Sequence, residues 1–451
     1  MKKFDVTYQA GTLPIHFLSL VIYVMLSFHA NAQTESTGER KNLMVLNPAH
    51  PHGAQIQNTL RSAFHADVHV YAPCENDLEE SYLNTINRHN RSDTVHYPWQ
   101  IHTYIGEDYM EKMLQDNHGD VVIIASNNRS KSDYILRAAA SGLNVIADKP
   151  MALNSSDFMK LTDAFAIAET QDRFISDLPA MSMRYSVTCL LQKELAAIPG
   201  IFGTLKKGSA EDPAVVQENL HYYYKRILRP TWFFDVKQQG NGVTDVTTHL
   251  ADLVLWSCFP EETVDYEKDI QIVSSKLWPI TIQPGQFKKV TGIEPYPDSL
   301  TPYLEGEVLK VFSNGEIILK INETYVRLTA RWDFEPPAGE SDTHQSVLRG
   351  THATLRIKPG HPLDLYIEPS QKIDVQELEK EIRNHFEQLK NNYPFISLHQ
   401  ETNGWRISTK RRAIKKETHI NVPSQQEVSR MLAKYYITTK ADAVAEKIKN
   451  L

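Results

Sequence analysis

The stretch Asp120-Val-Val-Ile-Ile-Ala125-Ser126-Asn127-Asn128, then Ser132 to Ala140, then Gly142-Leu-Asn-Val-Ile-Ala-Asp148-Lys149-Pro150, decides the fold. Its two apolar runs read as strands buried on both faces, a pattern of parallel sheets. The segment between them reads as a helix, and Gly142 stands where a left-handed cap belongs. Strand, helix and strand in this order make a parallel crossover unit. In such sheets ligands bind at the carboxyl ends of the strands. Asn127 and Lys149 fall at such ends.

The alternation extends toward the N-terminus. Leu43 to Leu46 reads as a strand, Gly53 to Phe64 as a helix and Asp67 to Tyr71 as a strand. Leu78 to Asn90 and Tyr109 to Gln115 read as helices. Asn47 then lies at the end of the first strand. Asn154 to Thr170 reads as a linking helix, with Ser155 or Ser156 as its cap. Beyond it the character changes. Gly203-Thr-Leu-Lys opens a strand region, and Leu304 to Asn314, Glu316 to Asn322, Tyr325 to Phe334 and Ala353 to Lys358 read as antiparallel strands. Asn314-Gly315 is the expected hairpin turn between two of them. Val375 to Lys390 and Gln425 to Lys449 read as helices, with Trp405 to Ser408 a strand between. The expected fold class is α/β: an N-terminal Rossmann-like parallel sheet over 42–170 and a C-terminal α+β domain over 171–451, built on an open, largely antiparallel sheet.

The chain has 451 residues, 41% hydrophobic and 23% charged, which are globular values. A net charge of −7 and a pI near 6.2 argue against a nucleic-acid surface. Cys74, Cys189 and Cys258 are widely spaced with no CxxC, against a cysteine zinc site. Lys2 and Lys3, the apolar run Phe17 to Phe28 and Ala30-Asn31-Ala32 read as an export signal over 1–32. A flexible leader over 33–41 follows. The expected location is periplasmic or secreted, with no membrane contact after cleavage.

About a hundred residues beyond Lys149 stands Gly240-Asn-Gly242-Val-Thr-Asp245-Val-Thr-Thr-His249-Leu-Ala-Asp252. If helical, Asp245 and His249 share one face. A lysine, an aspartate and a histidine brought together can deprotonate a hydroxyl while hydride leaves its carbon.

These two motifs resemble the glucose–fructose oxidoreductase/inositol dehydrogenase (Gfo/Idh/MocA) family, which has Glu-Lys-Pro at the first site and Gly-Gly…Asp-x-Gly-x-His-x-x-Asp at the second. Asp120 to Asn128, Arg184-Tyr185, Gly200-Ile-Phe-Gly203 and Trp232 extend the resemblance over roughly residues 40 to 260. It implies that Lys149 contacts the reacting hydroxyl and the nicotinamide ribose, that His249 is the general base, and that Asp245 orients substrate or histidine. Asp148 replaces the family glutamate. Arg184, Tyr185, Trp232, Asp245 and His249 are the implied substrate contacts. The implied cofactor is NAD or NADP, lying against Asn47, Ala49, His50, His52, Gly53, Tyr71, Ser126, Asn127, Asn128, Asp148 and Lys149. A homo-oligomer is expected by the same analogy.

The family's Gly-x-Gly-x-x-Gly is missing, and Asn47-Pro48-Ala49-His50-Pro51-His52-Gly53 stands in its place. Asn47 can adopt positive φ, and Ala49 and Gly53 are small, which leaves room for a variant phosphate turn. His50 and His52, near His65 and His69, could ligate a metal. No carboxylate or cysteine lies beside them in sequence, so no metal is assigned. Export makes free cofactor scarce at the working site, which favours a cofactor kept bound while hydride is taken and returned. The expected function is thus an exported nicotinamide-dependent oxidoreductase acting on a sugar, polyol or glycoside, including glycosidic cleavage through a transient ketone. The alternatives are a conventional cytoplasmic sugar dehydrogenase and a non-catalytic carbohydrate-binding protein on the same fold. Tyr222-Tyr223-Tyr224 with Trp232-Phe233-Phe234 fits a sugar platform or, equally, core packing.

Overall fold

The computed structural model describes residues 40–78, 82–92, 98–177, 180–224, 228–260, 262, 264–336, 342–359 and 364–409. The export signal, nearly all of the leader and the helix expected over 425–449 lie outside the described residues.

The first sheet contains β1 (Lys41–Leu46), β2 (Phe64–Ala72), β3 (Gln100–Ile105), β4 (Val121–Ile124), β5 (Asn144–Ala147) and β6 (Ile175–Ser176). Their order is β3-β2-β1-β4-β5-β6 and every pairing is parallel. The order reverses between β1 and β4, which opens a crevice at their carboxyl ends. Alternate residues of these strands feed opposite faces. Met44, Leu46, Val122 and Ile124 pack on α3 (Tyr109–Asp116), α4 (Asn128–Ala140) and α5 (Ser155–Thr170). Leu43, Val45, Val121 and Ile123 pack on α1 (His52–Thr59) and α2 (Asn84–Asn90). The helices start where side chains cap them. Asn127 Oδ1 accepts the Arg129 N–H at 3.0 Å, which begins α4 a turn before Ser132. Asn154 rather than either serine caps α5, accepting from the Asp157 N–H at 3.0 Å. Gly142 has φ +80°, the left-handed conformation expected of it. Phe64, expected to end a helix, opens β2, because α1 stops at Thr59.

The second sheet contains β7 (Val215–Tyr223), β8 (Ile270–Ile282), β9 (Leu304–Glu305), β10 (Val308–Ile321), β11 (Thr324–Asp333), β12 (His344–Arg349), β13 (Ala353–Lys358), β14 (Asp364–Pro369), β15 (Ile396–Glu401) and β16 (Gly404–Thr409). It is antiparallel except where β7 pairs parallel with β11. Its core lies under α6 (Val187–Ala196), α7 (Thr247–Cys258) and α8 (Val375–Asn392).

Two expectations fail here. Gly203 to Lys206 forms no strand, only one bridge from Leu205 to Gly350. Asn314-Gly315 is no turn, because β10 runs straight through it and reverses at Asn322, φ +51°. The glycine is there for close approach. A Cβ on Gly315 would stand 2.6 Å from Val243 Cγ1, and one on Gly242 would stand 2.2 Å from the Asn314 carbonyl carbon. The Gly240–Gly242 loop thus lies backbone to backbone on β10. Among the described residues no helix is long and apolar enough to cross a membrane.

Candidate active site

Lys149, Asp245 and His249 come together. Lys149 leaves the end of β5, and its Nζ lies 2.7 Å from Asp245 Oδ1 with both side chains buried. Asp245 does not share a helix face with His249. It sits in the lead-in turn, where its N–H bonds the Asn241 carbonyl at 3.1 Å and its carbonyl accepts from Thr248 Oγ1 at 2.6 Å. His249 lies in the first turn of α7. It is buried, and its Nδ1 is enclosed with no hydrogen-bond partner. Burial, then the charge on Lys149, hold its pKa well below the ordinary histidine value, so the ring is neutral. Burial pushes the Asp245 carboxyl up, but Lys149 outweighs it and keeps the acid ionised.

His50 and His52 fold back onto Asp148, which no spacing in the sequence announces. His52 Nδ1 lies 2.7 Å from Asp148 Oδ1, and His50 Nδ1 lies 3.2 Å from Oδ2. The two rings meet edge to face at 4.3 Å. Asp148 is 2% exposed, and it stays ionised because His52, Lys131 and His50 together offset its burial. Burial, then His52, lower His50 to about 4. His65 and His69 take no part in this group. His69 instead stacks with His102 and His118.

The other expected contacts have structural duties. Asn127 Nδ2 donates to Gln238 Oε1 at 2.6 Å and Asn128 Nδ2 to the Gln239 carbonyl at 2.7 Å. These amides join the end of β4 to the segment that leads into Asp245. Ser126 Oγ donates to the Asn127 carbonyl. Tyr71 is buried, with its hydroxyl on Asp116. Arg184 forms a two-pronged ion pair with buried Asp252 and stacks over Trp256, which ties it to α7. Trp232 packs at the margin of an aromatic core, its enclosed Nε1 without a partner. Tyr224 lies in that core, 4.6 Å from Trp332 and 5.1 Å from Phe234, so Tyr224, Phe233 and Phe234 serve packing. The side chains of Tyr185, Tyr222 and Tyr223 lie outside the described part.

A dinucleotide needs room and a counter-charge for its phosphates. A cleft of about 650 Å³ opens beside Ala49 and Pro51, the residues flanking His50, and Arg88, Arg91 and Arg229 line it with Asn84 and Asn87. These arginines were not singled out in the sequence, because they stand outside any motif. Asn47 has φ +44°, as the first glycine of the usual turn would need. Gly53 packs under the sheet end, where a Cβ would be 3.1 Å from Pro48 Cβ and 3.3 Å from Ala125 Cβ. The turn's amides are largely spent, however. Ala49, His50 and Gly53 donate to backbone carbonyls, and the His52 N–H donates to His50 Nδ1. Pro48 and Pro51 have none. A dinucleotide therefore fits through the cleft's arginine side chains rather than through a glycine-amide cradle.

A six-stranded parallel sheet with this switch point, joined to a large sheet that delivers an aspartate and a histidine to a strand-end lysine, defines a two-domain α/β oxidoreductase. Residues 191–446 match the family model described as "Putative oxidoreductase C terminal domain". Residues 86–175 match "Oxidoreductase family, NAD-binding Rossmann fold", a match that begins beyond the altered turn. The crystal structure of a "putative oxidoreductase" from Parabacteroides merdae ATCC 43184 is 36% identical, with a TM-score of 0.80, covering 91% of this chain and 98% of that one. The chain belongs to the Gfo/Idh/MocA oxidoreductase family. The crystal structure of a "putative oxidoreductase" from Erwinia carotovora atroseptica SCRI1043 shares the fold at 13% identity and TM-score 0.56 over 90% of this chain and 98% of that one. Levoglucosan dehydrogenase, solved with NADH and levoglucosan, shares it at 12% and 0.53 over 90% and 91%. No curated protein matches the chain.

Proposed function

We propose that the protein is an exported NAD-dependent oxidoreductase that acts on a sugar, polyol or glycoside and keeps its cofactor bound while hydride is taken and returned. The observation that carries this reading is the buried Lys149–Asp245 pair, 2.7 Å apart, beside a neutral His249. The bound nicotinamide supplies the hydride acceptor. The chain's own groups manage the proton and the oxygen. Neutral His249 accepts the hydroxyl proton at Nε2, the ring nitrogen that is not enclosed. The Lys149 ammonium favours the alkoxide that remains, an effect strengthened by the low local dielectric. Asp245 holds that ammonium in place. Arg88, Arg91 and Arg229 would neutralise the cofactor phosphates. NAD is preferred to NADP because an NADH complex is known for a protein of this fold. Exposed Val273, Leu277 and Phe312 lie on β8 and β10 of the second sheet, which suits a homo-oligomer formed through that sheet.

The experiment is to denature the purified protein and analyse the supernatant by mass spectrometry. Release of NAD supports the reading. If no dinucleotide is released, and none binds when added at millimolar levels, the protein is a sugar-binding relative that has lost its cofactor. Export is tested by N-terminal sequencing, which should begin at Gln33.

A further inference from the structure

We propose that His50, His52 and Asp148 bind one divalent transition-metal cation of the zinc, iron(II) or manganese class, whose open coordination positions take oxygen atoms of the substrate. The proposal goes beyond the oxidoreductase reading.

The donor set is two imidazole nitrogens and one carboxylate, which suits these cations and leaves positions free for other ligands. Their ligand atoms all lie within 4.8 Å of one another. Two atoms each about 2.1 Å from a tetrahedral ion stand about 3.4 Å apart. The observed separations, 3.2 Å from His50 to one carboxylate oxygen and 2.7 Å from His52 to the other, open by about 0.2 and 0.7 Å to reach that spacing.

Proton bookkeeping favours a cation over a shared proton. His50 Nδ1 faces both the His52 N–H at 3.3 Å and Asp148 Oδ2 at 3.2 Å. With a proton on Nδ1, two donors oppose each other. Without it, two acceptors do. A cation between Nδ1 and the carboxylate removes the second conflict at the cost of the long His52 N–H contact, since the single Nδ1 lone pair then serves the ion.

The ligands are also held in place before any ion arrives. Pro48 and Pro51 stiffen the histidine turn. Its backbone is tied to both neighbouring strands, Asn47 N–H to the Tyr71 carbonyl at 2.7 Å and His50 N–H to the Ala125 carbonyl at 3.0 Å. Asp148 N–H bonds the Ile124 carbonyl at 2.8 Å.

The surrounding charge decides what the open positions take. Lys131 and Lys149 already balance Asp148 and Asp245, so a divalent ion leaves an excess of positive charge. That excess selects an anionic oxygen. A substrate hydroxyl held there would give its proton to a neutral base such as His249, its oxygen keeping the electron pair. Asp148 directly precedes Lys149, whose Nζ meets Asp245 Oδ1 at 2.7 Å, so the group adjoins the candidate active site.

The test uses the full chain stripped with a chelator, in buffer without NAD or sugar, titrated with cobalt(II) as the visible probe and then with zinc(II). The expected result is one equivalent of cobalt with d–d absorption, displaced by zinc. His50→Ala and His52→Ala should each weaken uptake at least about 100-fold, while His69→Ala leaves it unchanged. Circular dichroism establishes that the variants fold. Should they not fold, X-ray absorption of the cobalt-loaded natural chain must show scattering from two imidazoles. No uptake by the natural chain, full uptake by folded His50→Ala or His52→Ala, or a cobalt shell without imidazole overturns the proposal. Metal binding is read without cofactor, so its failure is distinct from a failure to find NAD.

Discussion

Breaking the Lys149–Asp245 pair should separate its chemical role from its structural one. Both side chains are less than a tenth exposed, and Nζ to Oδ1 is 2.7 Å. Removing one partner strands a buried charge. Asp245→Asn should therefore cost about 3–5 kcal/mol of unfolding free energy, and Lys149→Met a similar amount. Replacing both by Met and Leu removes both desolvation penalties and should return stability to within about 1 kcal/mol of the natural chain. The double-mutant cycle then gives a coupling of several kcal/mol, where a solvated surface pair gives about 1 at most. The assay is urea unfolding followed by tryptophan fluorescence, with turnover measured in parallel. Turnover should be lost in all three variants, including the restabilised double. Single variants that each cost under about 1 kcal/mol would refute the claim that the pair is desolvated. Turnover retained in the double variant would refute its role in the reaction.

Gly242→Ala should destabilise by about 3 kcal/mol or more, because its Cβ would fall 2.2 Å from backbone that cannot move aside; a melting temperature unchanged from the natural chain would count against the close approach. Arg88→Ala combined with Arg91→Ala should weaken NAD binding at least about tenfold by calorimetry while leaving the fold intact, since charged hydrogen bonds of about 1.5–3 kcal/mol are lost; unchanged affinity would move the phosphates elsewhere. His344 sits buried in the second sheet, with Nε2 3.0 Å from Gln217 Oε1, and burial lowers it to about 4 from 6.5. The native state therefore binds this proton less readily than the unfolded chain. Its contribution is intact above pH 6.5 and falls as pH drops toward 4, by up to about 3 kcal/mol. His344→Gln should flatten that part of the stability–pH curve, and an unaltered slope would show that another group titrates there.

The sequence showed the centre of the first sheet clearly because β1, β4 and β5 are apolar on both sides and the helices repeat at helical spacing, whereas the edge strands went unread, β3 being mixed and exposed and β6 only two residues long. Asp120 to Ala125 and Asn144 to Ala147 could be read as strands and as little else. In the second half, β7 mixes polar and apolar residues and β8 is largely exposed, so period-two alternation is blurred. Asn314-Gly315 misled because a glycine chosen for contact looks the same as one chosen for a turn. Lys149, Asp245 and His249 were legible from their motifs. The Asp148–His50–His52 group was not, since Asp148 lies 96 residues from His52 in the chain and their meeting depends on the sheet order. Asn127 and Asn128 sit at the strand end where ligand contacts are expected, but their partners, Gln238 and Gln239, come from the other half.

That last arrangement bears on how such proteins could be recombined. The amides of Asn127 and Asn128 and the ammonium of Lys149 all cross to the short segment from Gln238 to Asp245. A chimera joined between the two sheets would pair one parent's strand ends with the other's loop and leave half of each contact without its counterpart. Grafting a new substrate domain onto this dinucleotide fold therefore means transplanting Gln238 to His249 from the first parent along with its sheet, so that the unit of exchange follows the site and not the domain border.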